Sequence, residues 1–400
     1  MRRRPPIAFA LLLAVCACGP AAGHRASVTP APAISPEQVV GPPLDGLPAV
    51  PAVCEQPAAK ADDFRAAEVR SPLRVVAKDR ALGSFDRLAV GGDGAVWATY
   101  TGQAWKQGAL ESSDGGVRLW DGAKWRAFPV PVLPGRSWSQ VTALAAASAD
   151  RAWVVGVSHG AGTVGFVGAF EGGAWRVRPL EGAAGQVIGW GGTAAARTEA
   201  GLWAVGGRVA LLWNGSAWES YALPAKAGAL SGDWAVGGPL PPAPAVMHWE
   251  GTGWQEIGVP ALTLPPGAEA SRTHLDDVAE LGPSDVWAVG GVSWMEPGSS
   301  EQERYRPVAL HWDGARWDCS WGPLGAATFA QVEPDGRGGV WVLDSTGSRL
   351  LHRASGRWTS ARLNAAVSAI AARPDSAEVY AAGSVGPAQG ATRAVLWRLG

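Results

Sequence analysis

Two short phrases decide the fold: LHWDGARW at residues 310–317 and DVWAVG at residues 285–290, which precedes it. Versions of both phrases recur along almost the whole chain. The first phrase, a Trp within an apolar run, is centred on Trp97, Trp153, Trp203, Trp234, Trp287 and Trp341, with a weaker copy at Tyr380. The second phrase, an aromatic residue followed five positions later by Trp, occurs at Trp120/Trp125, Phe170/Trp175, Trp213/Trp218, Trp249/Trp254 and Trp312/Trp317.

Each phrase has a direct physical interpretation. The first is short, apolar and rich in Val and Trp, which is typical of a buried strand that is entered from a turn. The second predicts a β-hairpin, because residues i and i+5 lie symmetrically about the turn and can face each other across two strands. Pairs such as Asp121-Gly122 and Asp313-Gly314 supply the residues that such turns favour.

A third element, a run of small residues such as 141–145, 275–279 and 367–371, precedes the first phrase. One repeat therefore contains four strands, which we call A to D. Four-stranded repeats of about 40–50 residues are typical of β-propeller blades. We predict an all-β, seven-bladed propeller of antiparallel blades, with the Trp side chains packed between neighbouring sheets.

The seventh copy of the second phrase begins at Leu396-Trp397, and the seventh repeat contains no strand D before the last residue, Gly400. We expect the segment Leu73-Arg74-Val75-Val76-Ala77 to supply that strand, so that an N-terminal strand closes the ring in the last blade. Closure would remove a free sheet edge that otherwise invites aggregation.

Residues 71–400 resemble the Trp-rich β-propeller repeats of exported bacterial proteins, of the kind WAVG followed by LHWDGxxW. The resemblance is specific for the fold. It implies no particular activity, since propellers host binding, scaffolding and catalysis alike.

The N-terminus predicts export. Three arginines follow Met1, and a short apolar stretch covers residues 7–17, as in a secretory signal peptide. The sequence Ala17-Cys18 resembles the cleavage site of bacterial lipoproteins, which implies a signal peptide over residues 1–17 and a lipid on Cys18. An ordinary cleaved signal that releases a free exported protein is the alternative.

Residues 18–70 are rich in Pro and Ala and show little strand pattern, so we interpret them as a lipidated tether to the propeller domain of residues 71–400. Once Cys16 and Cys18 are set aside, Cys54 and Cys319 remain. Export would place both in an oxidising compartment, where a disulfide persists. Two unpaired thiols are the alternative.

Composition and motifs exclude several classes of function. The net charge is −1 and the pI is about 6.6, so a nucleic-acid partner is not expected. The sequence contains no phosphate-binding, dinucleotide-binding or metalloprotease motif, and we predict no cofactor and no metal site. His248, His311 and His352 occupy one register in separate repeats, so we interpret them as structural rather than as ligands of one ion.

The variable connections are expected to share one face. In alternating strands, the B–C and D–A connections emerge on the same side, and the longest B–C insertions cover residues 101–117 and 292–307. Aromatic and Arg residues are enriched at recognition surfaces. The candidate ligand contacts are therefore Trp105, Trp294, Arg304, Tyr305 and Arg306.

A second group of candidates lies at the predicted start of an inner strand. His274, Asp276 and Asp277 could hold a cation or act as acid and base at the mouth of the central channel. Because no partner pattern repeats in the other repeats, solvated residues at the mouth are the alternative.

Three functions fit these observations. The first is a lipid-anchored envelope protein whose propeller binds a protein or a glycan through the loop-rich face. The second is a propeller lyase or hydrolase acting at the channel mouth, and the third is a scaffold for envelope assembly. We expect a monomer at the outer membrane or cell surface, attached to the membrane through its lipid alone.

Overall fold

The computed structural model describes residues 53–56, 62–106, 109–180, 193–198, 201–214, 218–237, 244–264, 268–296, 298, 303–325, 327–387 and 390–400. The predicted signal peptide, residues 1–17, lies outside these ranges, as do Cys18 and most of the predicted tether. Trp105 is described by its backbone alone.

The regular structure of the described residues consists of β-strands. Their bounds are β1 Ala67–Glu68, β2 Arg74–Val90, β3 Val96–Lys106, β4 Ala109–Trp120, β5 Trp125–Pro129, β6 Trp138–Ser148, β7 Arg151–Gly160, β8 Gly162–Glu171, β9 Ala174–Pro179, β10 Thr193–Thr198, β11 Gly201–Trp213, β12 Trp218–Ser231, β13 Trp234–Gly237, β14 Ala245–Trp249, β15 Trp254–Ile257, β16 Glu269–Gly282, β17 Asp285–Met295, β18 Glu303–Trp312, β19 Trp317–Trp321, β20 Phe329–Pro334, β21 Val340–Asp344, β22 Arg349–Ala354, β23 Arg357–Arg362, β24 Ala366–Ala372, β25 Val379–Val385 and β26 Arg393–Arg398. Within the same ranges no helix has the length and apolar character needed to cross a membrane.

These strands form five sheets within the described ranges. Two are simple four-stranded antiparallel blades, β6–β9 and β16–β19. A third, β20–β23, carries the short β1 as a fifth, parallel strand on its outer edge. The six- and seven-stranded sheets each contain a long strand, β12 or β2, whose first part pairs with one repeat and whose second part pairs with the next. The fold is therefore all-β and propeller-like, with four-stranded antiparallel blades.

The segment that we expected to pair with the last repeat does so. Arg74 pairs with Arg398 and Val75 with Trp397, in an antiparallel ladder between β2 and β26. The register of this ladder shifts after Val75 and again after Lys78, and from Gly83 the same strand pairs with β3 of the first repeat. The N-terminal part of β2 thus covers an edge of β26 that would otherwise be free.

The innermost strands contact one another in sequence order. Contacts join β2 to β6, β6 to β10, β10 to β12, β12 to β16, β16 to β20 and β20 to β24, and β24 contacts β2 again. Each repeat therefore presents its strand A to the next along a common axis.

The Trp residues of the first phrase pack on the hairpin of the following repeat. The Trp203 ring lies 4.9 Å from the Trp249 ring and 5.2 Å from the Trp254 ring, each at a steep angle. Trp97 contacts Phe170 in the same way, with centroids 4.9 Å apart. Aromatic rings placed edge to face add to the free energy gained from their burial. The prediction that Trp side chains fill the space between repeats is confirmed.

The hairpin prediction is also confirmed. Trp312 and Trp317 are paired across β18 and β19, with ring centroids 5.5 Å apart. In the sixth repeat Arg353 stands where the other repeats have an aromatic residue, and its guanidinium lies 5.0 Å from the Trp287 ring of the preceding repeat. A cation–π contact there replaces a contact between two rings.

The glycine that ends the WAVG phrase has a geometric cause. Gly290 pairs with Leu275 on the inner strand, where a β-bulge follows between Leu275 and Asp277. A Cβ at Gly290 would lie 2.1 Å from the carbonyl oxygen of His274. The inner strand bulges in the same way opposite Gly156, Gly237 and Gly383. At these four positions the phrase ends in glycine because the bulged strand leaves no room for a side chain.

Replacing Gly290 by Ala is expected to lower the free energy of unfolding by about 1–3 kcal/mol, since the added methyl group must displace backbone. Urea denaturation measures the change. Gly282→Ala is the matched control, because a Cβ there meets no atom within 4 Å and leaves stability within about 0.5 kcal/mol of wild type. Equal effects of the two substitutions would contradict the steric explanation.

Two segments before the propeller pack on its fifth and sixth repeats. Phe64 is buried between Phe329 and Trp358, at centroid distances of 5.4 and 4.7 Å. The Trp321 backbone N–H donates to the Asp63 carboxylate over 2.8 Å, and β1 pairs with β23. The described part of the predicted tether, residues 53–56 and 62–70, is thus held against the sheets.

A disulfide joins Cys54 to Cys319 in β19, as the cysteine count predicted, with the two Cα atoms 6.2 Å apart. The bond links residues 265 positions apart in the sequence. A disulfide that closes so long a loop restricts the unfolded chain strongly.

Removing this bond by the double substitution Cys54→Ser and Cys319→Ser is expected to lower the free energy of unfolding by about 2–5 kcal/mol. Chemical denaturation of the oxidised proteins measures the loss. Addition of a reductant should weaken the wild type by a similar amount and leave the double variant unchanged. A wild type that is insensitive to reduction would contradict this expectation.

Candidate functional site

One face of the molecule carries the B–C and D–A connections. Successive strands within each blade are antiparallel, so these two connection types emerge together, opposite the tight A–B and C–D turns. We call this face the rim and define it by the β3–β4, β7–β8 and β17–β18 connections. Tight turns such as 121–124 and 313–316 lie on the opposite face.

The long insertions at the rim are ladders rather than loops. Strands β17 and β18 stay paired as far as Trp294 with Arg304 and Met295 with Glu303. In the first repeat, β3 and β4 are likewise paired out to Lys106 and Ala109. The sequence analysis placed residues 292–307 and 101–117 in the connections between strands B and C, whereas the structure places residues of both ranges within continuing ladders.

Two of the candidate contacts are buried, although we predicted exposed side chains. Trp294 is 5% exposed and belongs to the core around Trp321. Arg306 is 2% exposed, and its Nε donates to the carbonyl oxygen of Gly322 over 3.0 Å. Its Nη1 lies 3.4 Å from Oε1 of Gln56 in the N-terminal segment. These side chains hold the fifth repeat together and do not face solvent.

The other two described candidates lie at the surface of the rim. Arg304 is exposed and its Nε donates to the Glu296 carboxylate over 2.8 Å. The Tyr305 hydroxyl donates to Oε2 of Glu303 over 2.5 Å, and this hydrogen bond raises the pKa of Tyr305. Both side chains already have partners within the rim.

Among the side chains that the structure describes, the exposed aromatic ring at the rim is that of Trp138, which the sequence analysis did not select. It begins β6 and is 52% exposed. Its ring stacks on the imidazole of His159, with centroids 3.8 Å apart and planes at 19°. No signal in the sequence separates it from Trp294 and Trp321, which also lie outside both repeat phrases but are buried.

The channel candidates are divided by a β-bulge. His274 and Asp276 form a pair, with Nε2 3.2 Å from Oδ2, within β16 rather than at its start. The bulge after Leu275 separates them from Asp277. The Asp277 carboxylate instead accepts hydrogen bonds from the backbone N–H groups of Val332, over 2.8 Å, and Val278, over 3.0 Å. The three side chains therefore do not form one site.

Asp277 lines a cavity of about 640 Å³ among the inner strands, together with Glu280 and Glu333. Burial raises the pKa of Asp277 to about 7. Burial, and then the neighbouring Asp277 carboxylate, raise the pKa of Glu333 to about 8. Glu333 accepts a hydrogen bond from the Ala372 N–H over 3.1 Å, so the two carboxyls tie β16 to β20 and β20 to β24. Sequence reasoning missed Glu333, which lies in no motif.

The histidines of the second phrase pack on the Trp residues of the first. His311 stacks on Trp287 at 4.2 Å, and its Nε2 lies 2.9 Å from Oδ1 of Asp285. His352 repeats the arrangement on Trp341, at 3.7 Å, with Asp335. In the third case His248 contacts Trp234 and Glu250. Across the described ranges no three His, Cys, Asp or Glu side chains are grouped so as to hold a metal ion.

No family model matches the chain. No curated protein sequence matches it either. Solved structures do match in fold. YCF48 bound to D1 peptide is 14% identical, covers 86% of this chain and 99% of its own, and has a TM-score of 0.48. A catalytically inactive virginiamycin B lyase from Staphylococcus aureus with quinupristin is 10% identical, covers 81% of this chain and 98% of its own, and has a TM-score of 0.47. YCF48 from Cyanidioschyzon merolae is 13% identical, covers 82% and 98%, and has a TM-score of 0.45.

Likeness at this level of identity concerns the fold alone. The four-stranded antiparallel blades and the Trp packing described above show that the protein has a Trp-rich, propeller-like β fold. Its function has to be argued from its own surfaces.

Proposed function

We propose that the protein is an exported lipoprotein, anchored through Cys18 to the outer membrane or cell surface, whose propeller binds a protein or glycan through the rim. The signal-like N-terminus supports export. The Cys54–Cys319 disulfide supports it independently, because such bonds persist in oxidising compartments. A Cys18→Ser chain that still fractionated with membranes would contradict the anchor.

For the body we propose seven blades in a closed ring. The seven copies of the first phrase support this number, as does the succession of inner-strand contacts from β2 around to β24 and back to β2. In this interpretation β2 and β12 each serve two blades, which explains why seven blades appear as five sheets. A crystal structure with another blade number would contradict the proposal.

The observation that carries the binding function is the exposed Trp138 ring on the rim. Trp is costly to leave in water and is enriched at recognition sites. The rim also presents Arg304 at the end of the β17–β18 ladder, whereas the opposite face consists of tight turns. Binding and scaffolding functions would both use this surface.

The test is capture of material from native envelope extracts by the full chain, made with Cys18→Ser to keep it free of lipid. Trp138→Ala and Arg304→Glu alter the rim, and Arg316→Glu alters a turn on the opposite face. We expect the two rim variants to lose bound material that the Arg316 variant retains. Equal capture by all three variants, or none by the parent chain, would refute a rim binding site.

A second candidate function is a lyase or hydrolase that acts in the channel. The cavity of about 640 Å³ favours it, because Asp277 and Glu333 line that cavity with pKa values of about 7 and 8. Carboxyls that change protonation near neutral pH are suited to general acid–base catalysis. Cleavage of envelope polysaccharide or peptide by the wild type, lost in Glu333→Gln, would support this function. If the wild type cleaved neither the polysaccharide nor the peptide, the lyase or hydrolase function would be excluded.

A further inference from the structure

One face of the Trp138 ring is covered by a neighbouring side chain, and about half of the side chain is exposed. It is paired with His159 across the β6–β7 ladder, and the two rings are stacked. Nδ1 of His159 lies 3.2 Å from the hydroxyl of Thr163, which fixes the imidazole. Because His159 covers one face of the indole and half of the side chain remains exposed, the other face is free to receive a flat ligand.

Polar groups flank this open ring. Gln140 lies two residues further along β6, on the same side of the strand, and is exposed. Within the described part of the chain its amide has no hydrogen-bond partner. Arg136 lies two residues before Trp138, and one of its Nη atoms donates to the carbonyl oxygen of Gly162 over 3.0 Å. The chain on either side of Trp138 therefore carries groups that can donate and accept hydrogen bonds.

The surroundings argue against a protein as the direct ligand of this ring. The other large apolar side chains that are exposed in the described residues are Val53 and Val69, in the N-terminal segments, and Val75 and Val76, in the outer part of β2. None of them belongs to β6, β7 or the rim connections. Protein interfaces usually centre on several apolar residues that exclude water together. A single aromatic ring with an apolar face and polar neighbours matches a sugar instead.

Charge excludes the other flat ligand that stacks on Trp. Nucleic-acid bases bind aromatic platforms within positively charged grooves. The net charge of this protein is −1, which does not provide such a groove. A pyranose presents an apolar face of C–H groups to the indole and hydroxyl groups to an amide or a guanidinium. These properties match Trp138, Gln140 and Arg136.

We propose that Trp138, with Gln140 and Arg136, binds one pyranose ring of an oligosaccharide at the rim. The inference rests on the proposed rim function and specifies its ligand class. The apolar face of the sugar stacks on the open side of the indole, and Gln140 hydrogen-bonds a ring hydroxyl. Such a site gives weak binding per sugar, so oligosaccharides are the appropriate probes.

The test uses the full Cys18→Ser chain labelled with 5-fluorotryptophan. Fluorine NMR gives one resonance for each Trp, and the resonance missing from Trp138→Phe identifies Trp138. The probes are chitohexaose, cellohexaose, maltohexaose and laminarihexaose, each titrated to about 10 mM, which detects affinities as weak as millimolar. We expect at least one probe to shift the Trp138 resonance in a saturable manner and to leave the buried Trp resonances in place.

Variants then establish the contacts. Trp138→Ala is expected to lower the affinity for that probe at least about tenfold and Gln140→Ala about threefold, whereas Trp138→Phe retains part of the affinity. Circular dichroism shows that each variant is folded. Binding that is unchanged in Trp138→Ala would overturn the inference.

The outcomes also separate this inference from the rim function. If no probe shifts Trp138, but Trp138→Ala abolishes capture of an envelope protein, the sugar inference is wrong and the rim function stands. If no probe binds and capture is unaffected by Trp138→Ala and Arg304→Glu, both proposals fail.

Discussion

Replacing Glu333 by Gln is expected to raise the free energy of unfolding by about 3 kcal/mol at pH 9 and to change it little at pH 4. In the folded protein the pKa of Glu333 is raised from its ordinary value of 4.5 to about 8, because burial and the Asp277 carboxylate disfavour its ionised form. The folded protein therefore binds this proton more tightly than the unfolded chain does.

The direction of the pH dependence follows from that difference. Below about pH 4 the carboxyl is protonated in both states and contributes no penalty. As the pH rises towards 8, the unfolded chain loses the proton and the folded protein keeps it, so the wild type becomes progressively less stable relative to its unfolded state. Each unit of difference between the pKa values in the folded and unfolded states corresponds to about 1.36 kcal/mol in the free energy of unfolding. The expected gain of about 3 kcal/mol is smaller than the free energy that corresponds to the whole difference between the two pKa values. The reason is that the Gln side chain must still replace a well-fitted carboxyl.

Urea denaturation at pH values from 4 to 9 measures the effect, and Asp277→Asn should act in the same direction. Because the two carboxyls disfavour each other's ionisation, the double variant is expected to gain less than the sum of the two single gains. Glu378→Gln is the control, because a hydrogen bond from Arg373 lowers the pKa of Glu378. This substitution should therefore lower the free energy of unfolding near neutral pH, whereas Glu333→Gln raises it. If the free energy of unfolding of the Glu333→Gln protein ran parallel to that of the wild type at every pH, the raised pKa of Glu333 would be contradicted.

The fold could be predicted because its decisive interactions are local in sequence and repeated. Trp312 and Trp317 are five residues apart, so their pairing follows from the hairpin alone. The packing of Trp203 on the next repeat follows once the repeats are stacked. The division of β2 and β12 between two repeats did not follow, since nothing in the repeat pattern indicates that strands D and A are continuous there.

The candidate site was harder to predict because burial depends on distant segments. Arg306 is covered by Gly322 and by Gln56, which lies 250 residues away in the sequence. Asp277 bonds to Val332 only because a bulge turns it towards the neighbouring strand. Neither neighbour can be identified from the residues around the candidate. Trp138 could not be singled out either, since Trp294 and Trp321 also lie outside the repeat phrases and yet are buried in the core.

The second large effect concerns the packing between repeats. Trp203→Ala is expected to lower the free energy of unfolding by about 3–5 kcal/mol, because removal of a fully buried aromatic side chain leaves a cavity. Trp203 is 0% exposed and contacts Tyr221, Trp249 and Trp254. Its indole Nε1 has no hydrogen-bond partner in the described structure, so the loss comes from packing rather than from a broken hydrogen bond.

Two comparisons isolate this contribution by urea denaturation. Trp203→Phe keeps an aromatic ring and should lose less stability than Trp203→Ala. Trp138→Ala removes a ring of equal size from the surface and should change stability by about 0.5 kcal/mol or less. If both Trp→Ala variants were equally destabilised, packing between repeats would not be the main role of the first phrase.

Hydrogen exchange can locate the loss as well as measure it. Trp203 belongs to the third repeat, whereas Trp249 and Trp254 flank the hairpin of β14 and β15 in the fourth. Loss of the indole should therefore speed exchange of the backbone amides in β14 and β15, while β24–β26 in the last repeat keep wild-type rates. A uniform increase across all strands would mean that the repeats unfold only as one unit. The local result would mean that each Trp of the first phrase stabilises mainly the contact with its following repeat.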